Sequence, residues 1–368
     1  MRLRRVPGIE TFMNEEIVRR TVRELDGYTP GEQPAAGERV IKLNTNENPY
    51  PPSPAVLDAI AAIGPDALRR YPQPAADDFR EVAARALGVS PEMIVAGNGS
   101  DDVLTIATRA ALNPGDILAY PDPTYSLYSV IARLQDARPV GVPWGEGWSL
   151  PTEALLATGA RAIYLANPNA PSGTSVSPRK VSALAAAFPG LLLIDEAYAD
   201  FADENCLDLV MRHPNVVVSR TLSKAYSLAG IRFGFAVAQP AVARELLKVK
   251  DSYNCDAVSI CAAVAALKDP DYARAVWQKI RSERARLTEA LERQGWDVIP
   301  SHANFVFARP PHGRAEQTYR ALKSVNILVR YFDRPGLSDK VRITVGTPSE
   351  NDALLSALGR ISERSAGA

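Results

Sequence analysis

The sequence reads as an α/β protein: a large domain with a mostly parallel central sheet sandwiched by helices, followed by a smaller α+β domain. Three features point that way. Segments with helical periodicity alternate with short apolar runs from residue 55 to about 272. Strands set in such an alternation are buried on both faces, the habit of parallel sheets. Near Pro270 the pattern gives way to a long charged stretch of helical spacing, and no internal repeat or low-complexity segment competes with either regime.

Residues 1–54 are rich in Pro, Gly and Asn and close on Leu43-Asn44-Thr45-Asn46-Glu47-Asn48-Pro49-Tyr50-Pro51-Pro52, which no regular element absorbs. They predict an N-terminal arm that forms part of the small domain. The spacing then predicts helices at 55–63, 77–87, 101–112 and 177–188, with strands at 94–96, 117–119, 162–166, 191–194 and 216–218, in a large domain spanning 55–272. A helix at 273–294, whose interleaved Arg and Glu suggest a solvated face, opens a C-terminal small domain at 273–368. Within it follow an apolar run at 298–307, a helix at 315–324, apolar runs at 327–331 and 341–345, and a final helix from Ser349.

Composition narrows the function. With 42 basic and 42 acidic side chains in 368 residues the formal net charge is zero, which argues against nucleic acid as the main partner. At 46% hydrophobic and 23% charged the chain can bury a large core. Cys206, Cys255 and Cys261 are odd in number and form no CxxC pair, so neither a disulfide framework nor a zinc site is expected and a reducing compartment is. His213, His302 and His312 stand apart from other candidate ligands and nucleophiles, so no metal site and no histidine-based triad is expected. The basic first five residues are followed by Glu10, Glu15 and Glu16 where a signal peptide needs an apolar run, and no apolar stretch approaches the roughly 20 residues that span a bilayer. A cytoplasmic protein with no membrane partner is expected.

The chemistry concentrates in a few segments. Lys224 follows an apolar strand in Thr221-Leu222-Ser223-Lys224, with Arg232 close behind it in Gly230-Ile231-Arg232. Alone, such a lysine reads as a solvated loop residue. Beside Thr221, Ser223 and Arg232, which are suited to a phosphate, it becomes an amine placed to form a Schiff base. Asp195 ends the apolar run Leu191-Leu192-Leu193-Ile194, the edge at which ligands of open α/β sheets bind. It suits a helix cap, a metal ligand or a partner for a protonated pyridine nitrogen. Tyr198 lies three residues on. Gly97-Asn98-Gly99-Ser100-Asp101 joins a strand to a helix start, where free backbone N–H groups attract anions, although the third glycine of a dinucleotide fingerprint and a Walker lysine are both missing. Tyr125, in Pro123-Thr124-Tyr125, is placed either to stack on a planar ring or simply to pack in a proline-ordered loop.

Together these segments resemble the fold-type I, class-II-like pyridoxal-phosphate-dependent aminotransferases, and among them most closely the histidinol-phosphate aminotransferase family. The resemblance runs from about residue 25 to 359 and rests on motifs in the family's order: Leu43-Asn44-Thr45-Asn46-Glu47-Asn48-Pro49, Arg70-Tyr71-Pro72, Gly99-Ser100-Asp101, Pro123-Thr124-Tyr125, Asp195-Glu196-Ala197-Tyr198, Arg220-Thr221-Leu222-Ser223-Lys224, Leu228-Ala229-Gly230-Ile231-Arg232 and Arg342-Ile343-Thr344-Val345-Gly346. It implies pyridoxal 5'-phosphate as cofactor, with Lys224 as the Schiff-base lysine, Asp195 facing the pyridine nitrogen, Tyr198 facing the phenolic oxygen and Tyr125 stacked on the ring. Gly99, Ser100, Asp101, Thr221, Ser223 and Arg232 would surround the phosphate, and Tyr71 would reach that of a neighbouring subunit in a homodimer. Arg342 would grip a substrate carboxylate, Tyr28 and Arg330 a substrate phosphate, and Asn46 would join the substrate site.

Two departures stand out. Asn167-Pro168-Asn169-Ala170-Pro171-Ser172-Gly173 puts Ala170 where the family has an asparagine at the phenolic oxygen, leaving Asn169 as the candidate replacement, and Asp102 stands where glutamate is common. The implied activity is transamination of histidinol phosphate with 2-oxoglutarate, in histidine biosynthesis. An aromatic amino acid aminotransferase and a phosphothreonine decarboxylase are the alternatives within the fold. A nicotinamide oxidoreductase lacks its fingerprint, and a non-catalytic cofactor binder fits the Lys224, Asp195 and Arg342 set poorly.

Overall fold

The computed structural model describes residues 17–35 and 37–366. The expectations drawn from the first sixteen residues, including the basic first five and Glu10, Glu15 and Glu16, lie outside the described residues. Along the chain the strands are β1 (Ile41–Lys42), β2 (Ile94–Gly97), β3 (Ile117–Asp122), β4 (Arg138–Pro143), β5 (Ala162–Ala166), β6 (Leu191–Asp195), β7 (Val216–Thr221), β8 (Gly234–Ala238), β9 (Asp297–Ile299), β10 (Phe305–Arg309), β11 (Ile327–Leu328), β12 (Arg330–Tyr331) and β13 (Val341–Thr344). Among the described residues they form a seven-stranded sheet of order β2-β8-β7-β6-β5-β3-β4, a four-stranded sheet of order β12-β13-β10-β9, and a pair β1-β11.

The α/β class is what the structure has. In the large sheet β4, β3, β5, β6 and β7 run parallel, while β8 is antiparallel to both β7 and β2. The parallel strands are nearly continuous apolar runs because both faces are covered. Leu192, Ile194, Val216 and Val218 enter the core on one face, with Phe79 and Ile260 from helices Asp77–Leu87 and Ala257–Lys268. Leu193 and Val217, one residue out of step, enter the core on the other face with Leu104 of helix Ser100–Ala111. Two strands of this sheet go beyond those expected. β4 carries two prolines, which an apolar-run criterion passes over and which an edge strand tolerates. β8 opens on Gly234, directly after the Lys224 segment.

Past Pro270 the helix Pro270–Arg293 is not simply solvated: Val276, Ile280, Leu287 and Leu291 form an apolar stripe packed on Val306 and Ala308 of β10 and Val341 and Ile343 of β13. The run expected at 298–307 is broken into β9 and β10. Pro300 has no N–H for a ladder, and the Ser301 hydroxyl turns back to the Phe305 carbonyl, so the chain bends between the strands. The run at 327–331 is likewise shared by two sheets, β11 pairing with β1 and β12 with β13. Through β1 the N-terminal segment, which also holds the one-turn helix Arg20–Arg23, is stitched to the C-terminal part of the molecule. No helix among the described residues is long and apolar enough to cross a membrane.

Candidate active site

The parallel strands deliver their C-terminal ends to one edge of the large sheet, and the small sheet and N-terminal segment cover that edge. A cavity of about 640 Å³ lies between them. Lys224 and Asp195 both line it, as do Ser100, Asp101, Tyr125, Tyr198, Thr221, Ser223 and Arg232 from the large sheet and its connections. Tyr28 and Asn46 from the N-terminal segment, and Arg330 and Arg342 from the small sheet, close its other side.

Asp195 is the last residue of β6 and is buried. Its carboxylate accepts from the Tyr128 hydroxyl at 2.8 Å and from the Ser219 hydroxyl at 3.1 Å. Burial pushes its pKa up to about 6, and the two hydroxyl donors oppose that rise. Lys224 lies beyond the end of β7, with Nζ donating to the Thr45 carbonyl at 3.1 Å. Burial, reinforced by the nearby Arg342 guanidinium, brings its amine down to about 8. The structure thus holds a readily deprotonated amine and a shielded carboxylic acid in one cleft, the kind of divergence that marks functional sites.

At the floor, helix Ser100–Ala111 points its N-terminus into the cavity, where first-turn N–H groups have no intrahelical acceptor. Arg232 donates to the Ser223 hydroxyl and to the Asp101 carboxylate, both at 3.3 Å, and the Tyr125 hydroxyl donates to the other Asp101 oxygen at 3.1 Å. Two glycines make the approach possible. A Cβ on Gly99, whose φ is +85°, would lie 2.7 Å from Arg232 Nη2, and one on Gly234 would lie 2.5 Å from the Ser100 nitrogen.

On the opposite wall, Arg342 of β13 donates to the Asn44 carbonyl at 3.1 Å and lies over the rings of Phe305 and Phe332, while its buried Nε has no partner. Burial lowers its pKa from the ordinary arginine value. Arg330, its cross-strand neighbour, donates to the Thr29 and Pro30 carbonyls, and Tyr28 meets Tyr125 edge-on at 5.7 Å.

Three expected residues stay outside the lining: Gly99, which shapes the approach from behind Ser100 and Arg232, Asn169 and Tyr71. Asn169 is fully buried, and its amide is taken up by the Thr124 hydroxyl, the Pro123 carbonyl and the Ser172 hydroxyl; Ala170 presents its methyl to the cavity instead. Tyr71 is 81% exposed and stacks on Tyr253 along a separate groove. Other contributors went unread in the sequence. Tyr128 sits one helical turn beyond Tyr125, a spacing that puts both on one side and could have flagged it. Ser219, and the buried Arg220 that pairs with Glu196 at 2.6 Å and Asp200 at 3.3 Å, act across the β6-β7 ladder, where no local signal exists. Arg334, on the loop after β12, lines the cavity and reaches Asp122 at 3.4 Å. Among the described residues no cluster of His, Cys, Asp and Glu side chains could hold a metal ion.

Known proteins share both sequence and fold. The model of the aminotransferase class I and II family matches residues 38–358. The chain is 47% identical over 340 residues to histidinol-phosphate aminotransferase 1 of Trichormus variabilis, covering 92% of this chain and 97% of the relative. It is 47% identical over 344 residues to the histidinol-phosphate aminotransferase of Rhodopirellula baltica, covering 93% and 95%. The crystal structure of histidinol-phosphate aminotransferase from Sinorhizobium meliloti in complex with pyridoxal-5'-phosphate superposes with a TM-score of 0.85 at 29% identity, over 94% of this chain and 97% of that one. With the amine, the acid and the anion-binding helix start gathered at one sheet edge, and with these likenesses over nearly its whole length, the chain belongs to the class I and II aminotransferase family, beside the histidinol-phosphate aminotransferases.

Proposed function

We propose that this enzyme is a pyridoxal-phosphate-dependent transaminase that moves the amino group of histidinol phosphate to 2-oxoglutarate, yielding imidazole acetol phosphate and glutamate in histidine biosynthesis. The observation that carries it is the gathering of Lys224 and Asp195 on one wall of a cavity whose far wall holds Arg330 and Arg342.

The residues present fit the cofactor. The helix start at Ser100, the Ser223 hydroxyl and Arg232 form an anion cradle that a Cβ on Gly99 or Gly234 would fill. Asp195 would hold the ring nitrogen, Tyr198 the phenolic oxygen and Tyr125 the ring face. The cofactor supplies the electron sink that stabilises a carbanion at the substrate Cα. Asp195, kept in place by Tyr128 and Ser219, supplies the negative charge that keeps a ring nitrogen protonated. Lys224, with an amine near 8, exists partly as free base near neutrality and can take the Cα proton. Arg342, with its unpartnered Nε, orients a substrate anion, and Arg330 and Tyr28 set the distal phosphate.

The exposed Tyr71 suits a homodimer in which it completes the site of a second copy, beside a groove of about 850 Å³ that includes Val82, Ile260 and Val264. Sedimentation should find a dimer, and Tyr71→Phe should weaken cofactor binding. The free, mostly buried Cys206, Cys255 and Cys261 suit the cytoplasm. The deciding experiment is a panel of histidinol phosphate, phenylalanine, tyrosine and phosphothreonine with 2-oxoglutarate as acceptor. The highest kcat/KM is expected for histidinol phosphate. Preferential release of carbon dioxide from phosphothreonine, or a preference for phenylalanine or tyrosine, would replace the proposal.

A further inference from the structure

Asn46 was expected among the substrate-binding residues, yet its polar atoms are committed elsewhere. It is 1% exposed and sits at φ +56°, a left-handed conformation unusual for a residue other than glycine. Its backbone N–H donates to Thr344 Oγ1 at 3.0 Å, and the Thr344 hydroxyl donates in turn to Asn46 Oδ1 at 3.2 Å. The Asn304 amide donates to the Asn46 carbonyl at 3.0 Å. In this arrangement Thr344 takes up the amide oxygen through its hydroxyl proton and the backbone N–H through its oxygen, so that the NH₂ is the end of the amide turned to Tyr198. The free Nδ2 therefore donates to Tyr198 Oη, at 2.9 Å.

The direction of that bond has a consequence for Tyr198. An oxygen that accepts from Asn46 gives its own proton elsewhere, and Tyr198 lines the cavity. Tyr198 packs against Ala170 and Phe305, so the wall it shares carries a methyl group at Ala170, with Asn169 turned away. The Tyr198 hydroxyl is left to supply the donor there. We infer that Asn46 is a positioning residue which, locked by Thr344, aims the Tyr198 proton into the cavity at the phenolic oxygen of the cofactor, taking over a task that Ala170 cannot perform. This rests on the proposed pyridoxal-phosphate chemistry. A donor chain of this kind polarises each successive bond, so Tyr198 donates more strongly with Asn46 behind it than alone.

The test is the pH titration of the absorbance bands of enzyme reconstituted with pyridoxal 5'-phosphate. A donor at the phenolic oxygen withdraws negative charge from it and so makes the adjoining lysine-bound nitrogen easier to deprotonate. Tyr198→Phe should raise the midpoint by about one pH unit, the size expected for a hydrogen bond to a charged group. Asn46→Gly, which accepts the left-handed backbone without strain, should raise it by part of that amount. Asn46→Asp, which turns the donor into an acceptor and draws the Tyr198 proton away, should raise it at least as far as Tyr198→Phe. The double variant should match Tyr198→Phe alone, because Asn46 acts through that hydroxyl. Thr344→Val leaves both residues in place while unlocking the amide; it should give a smaller rise and serves as the test should the Asn46 variants misfold. Unmoved midpoints in these variants, or fully additive shifts in the double variant, would overturn the inference while borohydride still traps the cofactor on Lys224. Failure of wild-type enzyme to trap any adduct on Lys224 would overturn the parent function as well.

Discussion

The two walls of the cleft are built differently. The wall that carries Asp195, Ser223 and Lys224 hangs from the ends of buried parallel strands, and the Asp195 carboxylate is fixed by Ser219 on the neighbouring strand and by Tyr128 on the helix packed against the sheet. The opposite wall is assembled from distant pieces of chain. Tyr28 is 44% exposed, Arg330 is held by two arm carbonyls, and Arg334, which lines the cavity, pairs with Asp122 at 3.4 Å with both side chains well exposed. The lesson is a division of labour. Groups that must meet reacting atoms with little tolerance sit on stiff, densely bonded elements, whereas groups that must accept two different substrates in turn sit on segments held by few and replaceable contacts.

Substitutions on the two walls should therefore fail in different ways. Lys224→Ala should lower kcat by about 10⁴-fold or more and remove the long-wavelength absorbance band; a variant keeping both would break the contrast at its stiffest point. Asp195→Asn should lower kcat by roughly 10²–10³-fold, yet stabilise the cofactor-free protein by up to about 2–3 kcal/mol above pH 6. The sign follows from the raised pKa: ionised Asp195 is penalised in the folded state, fully so above about 6, and the penalty fades as pH falls toward 3.8. Thermal melts of apoprotein across that window would check it, and a gain independent of pH would refute it.

On the looser wall, Arg330→Ala should raise KM for histidinol phosphate by roughly 10–100-fold, the worth of a hydrogen-bonded charge, and raise KM for glutamate far less, with kcat little changed. Equal effects on the two substrates would remove Arg330 from a phosphate-binding role. Asp122→Asn should have the smallest effect, a change of a few-fold in kcat/KM that disappears at high ionic strength, because an exposed pair contributes under about 1 kcal/mol. A loss as large as that of Arg330→Ala would show that this wall is as stiffly built as the floor.

The same contrast explains what was legible beforehand. Asp195, Lys224, Ser100 and Arg232 were readable because each lies where a local pattern changes: an apolar run ends, a glycine turn begins a helix, or a small-hydroxyl segment follows a strand. The bonds of Ser219, Thr45 and Thr344 were not, since each meets its partner from an element remote in sequence, and neither periodicity nor composition encodes the meeting. Asn46 shows the limit most clearly. Its motif flagged the position, but the partners of its amide, Thr344 and Tyr198, are joined only by folding.

The apolar alternation and the residue types at strand ends were enough, by themselves, to determine the α/β class, the sheet edge that bears the chemistry and the amine and acid gathered there, because these follow from periodicity and burial within short windows. Tertiary structure alone decided that Asn169 would be spent on Thr124 and Ser172, that Asn46 would donate to Tyr198, and that Arg334 would pair with Asp122. Hydrogen-bond direction and the balance between burial and pairing depend on which distant groups share a few ångströms, and that is settled only once the layers have packed.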